Sequence, residues 1–147
     1  VSFILERGMR MPEVLQDVIG PEANWKSLIV IDDDVALNNA IKNYLEKNLQ
    51  GMSVLQSFDG FDAGAQLADR KPGFVILDLA LPGVNGQEIC RRIKTDATFG
   101  KPYVIVITAL EDPGLEEELA QMGADRFFKK PVSLPDFVEA VNQALEL

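Results

Sequence analysis

Histidine is absent from the 147 residues. No Ser-His-Asp or Cys-His relay can therefore be assembled, and no imidazole metal site exists. Acid–base or metal chemistry is left to carboxylates, lysines and the backbone, a donor set that suits hard cations. There is one cysteine, Cys90, so no internal disulfide can form, and a reducing, cytoplasmic setting is expected. Basic residues are few, 14 against 23 acids for a net charge of −9, which argues against a basic face that grips nucleic acid or an anionic membrane. No apolar run approaches the length of a membrane span, and no signal-peptide pattern precedes the core. No G-x-G-x-x-G follows the first apolar run, which disfavours a dinucleotide site.

The stretch that organises the chain is Gly73 to Gly86, GFVILDLALPGVNG. Phe74, Val75, Ile76 and Leu77 run without polar alternation, the pattern of a strand covered on both faces. Asp78 ends the run, and Pro82, Gly83 and Gly86 turn the chain just beyond it. An acid at the carboxyl end of a parallel strand lies at the lip of the sheet, where open α/β folds bind ligands. A polar residue that merely ends a strand is the plain alternative, and a second strand with a similar ending decides between them.

That second strand is Leu28 to Ile31, LIVI, followed by Asp32, Asp33 and Asp34. Ala36, Leu37, Ala40, Ile41, Tyr44 and Leu45 then recur at helical spacing, and Gly51 closes the helix. Met52 to Phe58 reads as a polar edge strand, with a helix from Phe61 to Asp69. A third helix, Glu88 to Lys94, follows the organising strand. PYVIVIT, Pro102 to Thr108, is a fourth buried strand. Leu115, Leu119 and Met122 mark a fourth helix, Asp125 to Lys129 a short fifth strand, and Phe137, Val138, Val141 and Leu145 the last helix, with Ser133 as its cap. Only one of the neighbours Phe127 and Phe128 is expected to face inward. Five strand–helix units with right-handed crossovers predict an α/β fold, a parallel sheet with helices on both faces.

Residues 1–27 stand outside this pattern and read as a linker or the tail of an upstream module. FILERGMRMPEVL is similar, over that short stretch, to the end of an excisionase-like or MerR-like DNA-binding domain. A tag remnant with a linker fits it equally well.

Parallel strands point their carboxyl ends the same way, so Asp32, Asp33, Asp78 and Thr108 share one edge, and Lys130 follows the fifth strand onto it. Three adjacent carboxylates repel and stay ionised only with a cation among them, or one takes a proton. Magnesium, which takes oxygen ligands and keeps waters, answers this. The lysine and the threonine hydroxyl then fit an incoming phosphoryl group, and aspartate is itself a competent nucleophile.

IVIDDD, VILDLALPGVNG, VIVITA and FFKKPV, in that order, resemble the receiver domain of two-component response regulators, over residues 28–147. The resemblance implies a flavodoxin-like doubly wound five-stranded sheet of order 2-1-3-4-5. It implies Asp78 as phosphoacceptor, with Asp33, Asp78 and the Ala80 backbone carbonyl binding magnesium directly and Asp32 through water. Thr108 and Lys130 would contact phosphoryl oxygens, Thr108 and Phe127 would form the switch, and the Lys130–Pro131 bond would be cis. The implied partner is a sensor histidine kinase or phosphotransfer protein. A second copy or an output partner would meet the fourth helix, fifth strand and last helix. Departures from the family pattern are Asn85 where aspartate is usual, Val84 where methionine is common, and Phe127 without a tyrosine hydroxyl.

Taken singly, Asp32 to Asp34 could be a solvated charge run, Lys130 a surface lysine and Thr108 a strand cap. A haloacid-dehalogenase-type phosphohydrolase would need a second acid two residues after the nucleophile, where Ala80 stands. A phosphorylation-independent interaction module would be expected to lose some of the acids, the threonine or the lysine, and all are present.

Overall fold

A computed structural model describes residues 3–5 and 8–145. In chain order the elements are β1 (Phe3–Ile4), α1 (Glu13–Gln16), β2 (Asn24–Ile31), α2 (Val35–Asn48), β3 (Leu49–Gln50), β4 (Ser53–Ser57), α3 (Gly60–Arg70) and β5 (Pro72–Asp78), then α4 (Gly86–Thr95), a 3-10 turn (Ala97–Phe99), β6 (Tyr103–Thr108), α5 (Leu115–Gln121), β7 (Arg126–Lys129) and α6 (Leu134–Leu145). Five strands form one parallel sheet in the order β4-β2-β5-β6-β7. Counted along the chain among themselves, these strands stand as 2-1-3-4-5, the doubly wound α/β arrangement.

The sheet forms because its central strands have no polar face to offer water. Every residue from Leu28 to Ile31 and from Phe74 to Leu77 is buried. Alternation sends Leu28, Val30, Phe74, Ile76, Ile105 and Ile107 to one core, shared with α2 and α6. Ile29, Ile31, Val75, Leu77, Val104 and Val106 go to the other, shared with α3, α4 and α5. Phe127 and Phe128 follow the same rule. Each is half-buried, Phe127 against the second core and Phe128 edge-on to Phe137 in the first. A sheet covered on both sides has two inward faces, which the expectation of a single inward Phe overlooked.

Three of the helices that follow strands start on an Asx cap at the site's edge of the sheet. Asp34, Asp59 and Asn85 accept the backbone N–H of Leu37, Asp62 and Glu88 at 3.1, 2.7 and 3.1 Å. Gly86, which opens α4, permits a close approach: a Cβ there would lie 2.3 Å from the carbonyl oxygen of Leu79. The buried stripe of α2 is Asn38, Ile41 and Leu45, whereas Ala36 and Ala40, read as inward-facing, are exposed. The helix ends at Asn48, ahead of Gly51, because Leu49 and Gln50 pair with β1 instead.

Strand β2 begins at Asn24, earlier than its apolar run, since Asn24 to Ser27 alternate in burial and Asn24 pairs with Pro72 across a register shift. Before it, Leu15, Ile19 and Ala23 join the core on the α6 side, as does Trp25 within it. The Gly20 N–H donates to the Gly100 carbonyl at 3.0 Å, and a Cβ at Gly20 would stand 2.4 Å from that oxygen. Glu6 and Arg7 of the FILERGMRMPEVL stretch lie outside the described residues, as do Val1, Ser2, Glu146 and Leu147, the outer ends of the 1–27 and 28–147 divisions. Among the described residues no helix is long and apolar enough to cross a membrane.

Candidate functional site

The sheet order sets four strand ends side by side. Asp32 follows the last residue of β2, Asp78 is the last residue of β5, Thr108 the last of β6, and Lys130 follows β7. Asp32, Asp78 and Thr108 are at most 3% exposed, among the few polar side chains buried in the described chain. Asp33 is exposed beside them. Carboxylate oxygens of Asp32, Asp33 and Asp78 all lie within 4.8 Å of one another.

Among the described residues one ammonium bridges two of these acids, Asp32 and Asp78. Lys130 Nζ donates to Asp78 Oδ2 at 3.1 Å and lies 3.0 Å from Asp32 Oδ2. The Lys130–Pro131 peptide is cis, and the Lys130 backbone N–H donates to the Thr108 carbonyl at 2.8 Å. Asp78 Oδ1 accepts the Ala80 N–H at 3.0 Å, and Asp32 Oδ1 accepts the Asp34 N–H at 2.9 Å. Asp32 Oδ2 is met by the lysine's charge, but no donor reaches it at hydrogen-bonding angles. Burial holds the Asp32 carboxyl above its ordinary value; the Asp34 N–H and Lys130 oppose that, and the neighbouring Asp78 charge adds to it. Burial pulls the Lys130 ammonium down, but the close carboxylates of Asp32 and Asp78 outweigh it, so its pKa is raised.

A buried carboxylate oxygen without an aligned donor, inside a group of three acids, fits a hard cation with oxygen ligands. The arrangement can hold such an ion and present an aspartate oxygen beside a fixed ammonium. Thr108 has its hydroxyl engaged in accepting the Leu110 N–H at 3.1 Å. Phe127 lies opposite Val106 in the β6–β7 register, and Thr108 shares that face of β6 by alternation.

The residue that sequence reasoning passed over is Asn38. It is fully buried, and its Nδ2 donates to the carbonyls of Asp32 and Ser57 at 3.0 Å each and of Val30 at 3.3 Å. Its Oδ1 accepts from Gln56 Nε2 at 2.9 Å, and the same nitrogen reaches Asn39 at 2.7 Å. A signal existed: Asn38 stands three and seven positions before Ile41 and Leu45, a polar residue on an apolar stripe.

The model of the response regulator receiver domain family matches residues 28–142. A curated relative, the polar-differentiation response regulator DivK of Brucella anthropi, is 27% identical over 120 residues, which are 82% of this chain and 96% of that protein. Among solved structures, the signal receiver domain of a DNA-binding response regulator from Colwellia psychrerythraea superposes with a TM-score of 0.73 at 27% identity, covering 82% of this chain and 98% of that one. A response regulator receiver from Bermanella marisrubri does so with a TM-score of 0.73 at 27% identity, covering 84% and 100%.

Proposed function

The chain belongs to the response regulator receiver domain family, signalling modules of two-component systems, and from that premise we propose that Asp78 accepts a phosphoryl group from a phosphohistidine. The donor is a sensor histidine kinase or a phosphotransfer protein. The observation that carries the proposal is Lys130 Nζ, within 3.1 Å of both Asp78 and Asp32 inside a group of three carboxylates. Asp33, Asp78 and the backbone carbonyl of Ala80 would hold magnesium directly, and Asp32 would act through a water. Held by these residues, the ion would supply positive charge against the acceptor carboxylate and the phosphoryl oxygens.

In the transfer, an Asp78 carboxylate oxygen bonds to phosphorus as the phosphorus–nitrogen bond to the donor imidazole breaks. The electron pair stays on that nitrogen, which takes a proton from solvent. Lys130 stays beside the acceptor and faces the added negative charge. Thr108 rotates its hydroxyl from accepting the Leu110 N–H to donating to a phosphoryl oxygen. Phe127, on the same face one strand over, takes up the space released. The surface of α5, β7 and α6 then changes toward a second copy or an output partner, as a population shift limited by the phosphoryl group's preference for one state.

An apolar rim supports a protein donor. Phe61 is 92% exposed, Val35 56% and Leu110 44%, and all three stand in the segments that follow the carboxyl ends of sheet strands. Phe58 and Val84, exposed in neighbouring loops, extend the rim. We take residues 28–147 as the receiver module, with Leu15, Ile19 and Ala23 of the preceding segment packed on its core, and working in the cytoplasm.

The test is incubation with magnesium and acetyl phosphate. One acid-stable, base-labile phosphate per chain is expected, and Asp78→Asn abolishes it. Modification that persists in Asp78→Asn, or that sits on serine or threonine, sinks the proposal.

A further inference from the structure

We propose that Asn38 is the positioning residue of the acidic site: by holding the Asp32–Asp33 peptide in place, it sets where both carboxylates of the pair point. The inference rests on the reading of this edge as a metal-assisted phosphoryl acceptor. Asparagine is a poor helix-interior residue, and burying its amide is costly unless every polar atom is used. Here both are: two N–H groups are shared among three carbonyls, and the oxygen accepts Gln56. Those carbonyls belong to Val30 and Asp32 at the end of β2 and to Ser57, the last residue of β4. The N–H of Asp32 donates to that same Ser57 carbonyl at 3.1 Å. The Asp32 backbone is therefore held on both sides of its Cα.

A peptide unit is planar, so fixing the Asp32 carbonyl fixes the Asp33 nitrogen and the position of the Asp33 Cα. Asp33 is exposed and has no core packing to place it. Its partnership with Asp32 and Asp78 thus depends on this peptide plane. An apolar side chain at position 38 would fill the stripe beside Ile41 and Leu45 but leave the plane free to rotate. Gln56 keeps the amide from flipping, since its nitrogen can meet only the oxygen end of Asn38.

The test compares Asn38→Ala with Leu45→Ala, a truncation of a fully buried residue on the same stripe. Magnesium chloride alone is titrated while amide shifts of residues 32–34 and 78–80 are followed, and hydrogen exchange is read at the Asp34 N–H. Asn38→Ala is expected to weaken magnesium binding by about tenfold or more, within the range for groups that orient metal ligands. It should also speed Asp34 exchange without matching acceleration at Ile105. Leu45→Ala should lower the melting temperature and change neither. Gln56→Ala, at a half-buried position that leaves the helix packing intact, should give the same loss in milder form, which keeps the test open if Asn38→Ala does not fold. Binding within twofold of wild type with Asp34 still protected, or an equal loss in Leu45→Ala, overturns the assignment. A wild-type protein without any magnesium response refutes the metal reading itself, and Asp34 exchange then decides Asn38 alone.

Discussion

The two halves of the site's edge are built differently. Around β2, β4 and β5 the strand ends are locked: Asp32 is bracketed by Asn38 and Ser57, Asp78 is the end of a strand buried throughout, and the neighbouring loops run into Asx caps. Past the end of β6 and along β7 the support is thinner. No residue of β7 is fully buried, α5 has seven residues, and its cap is Gly114 with no side-chain hydrogen bond. Asp32, Asp33 and Asp78, the acids proposed to hold a cation, lie in the first half. Groups read as moving, Thr108 and Phe127, lie in or against the second. Segments with few buried contacts are those with low-energy alternative arrangements, so a new charge at the edge finds its response there.

The largest expected contrast is in the core. Phe74→Ala, in β5, should cost about 3–5 kcal/mol in urea unfolding, the usual price of truncating a buried aromatic. Phe127→Ala, at a half-buried site, should cost about half of that. Equal losses would mean that the two halves do not differ in packing. Next in size is a pH effect at Cys90 of α4, buried in the core between the two halves, with Val75 and Leu77 of β5 and Val104 and Val106 of β6. Burial pushes the Cys90 thiol up to about 11. The folded state therefore favours the protonated thiol, and its contribution is whole below the ordinary value of 9.0 and lost as pH rises through about 11. Relative to Cys90→Ala, wild type should lose about 3 kcal/mol between pH 8 and strongly alkaline solution. A difference that stays flat with pH would show that the thiol ionises as freely in the fold as outside it.

How far the sequence carried this picture follows the same division. Continuous apolar runs, followed or ended by acids at β2 and β5 and ended by Thr108 at β6, made these strands readable, because burial on both faces removes polar alternation, and the strand order came with the resemblance to the receiver family. The acids, Thr108 and Lys130 came into one place as soon as the strands were parallel. What stayed hidden was carried by polar residues. Asn38 acts through backbone carbonyls, which have no signature in sequence, and Gln56 acts through the Asn38 side chain, while asparagines on helices are usually solvated. Asn24 to Ser27 extend β2 with alternating rather than continuous burial. The inward placement of both Phe127 and Phe128 depends on helices covering both faces of β7, which a two-residue pattern does not encode.

A smaller effect tests the hydroxyl of Thr108. Thr108→Val keeps the shape and removes the acceptor for the Leu110 N–H. A lost hydrogen bond of this kind should cost about 1 kcal/mol of stability. The variant should still take phosphate on Asp78, while the amide shifts that phosphorylation produces over residues 110–129 shrink. Shifts of wild-type size would place the coupling elsewhere than in this hydroxyl.

The smallest expected effect on stability is that of Phe127→Tyr, and it bears most directly on the less buried half. Its ring is half-buried on the face it shares with Thr108, beside a cleft of about 350 Å³ lined by Leu110, Leu115 and Lys129. A hydroxyl added at the ring's tip can reach that open cleft and keep its water, so Phe127→Tyr should alter stability by less than about 0.5 kcal/mol, the usual bound for a change that neither opens a cavity nor strands a polar group. The ring itself is unchanged, so the space behind Thr108 can still be filled when the hydroxyl turns inward. Phe127→Ala removes the volume that answers that turn. With beryllofluoride as the phosphoryl mimic at Asp78, Phe127→Tyr should reproduce the wild-type shift pattern over residues 108–137, and Phe127→Ala should confine the changes to residues next to Asp78. A wild-type response in Phe127→Ala would mean that ring volume does not carry the signal, and that β7 moves as a backbone unit through the Lys130 N–H to Thr108 carbonyl bond, 2.8 Å long in this structure.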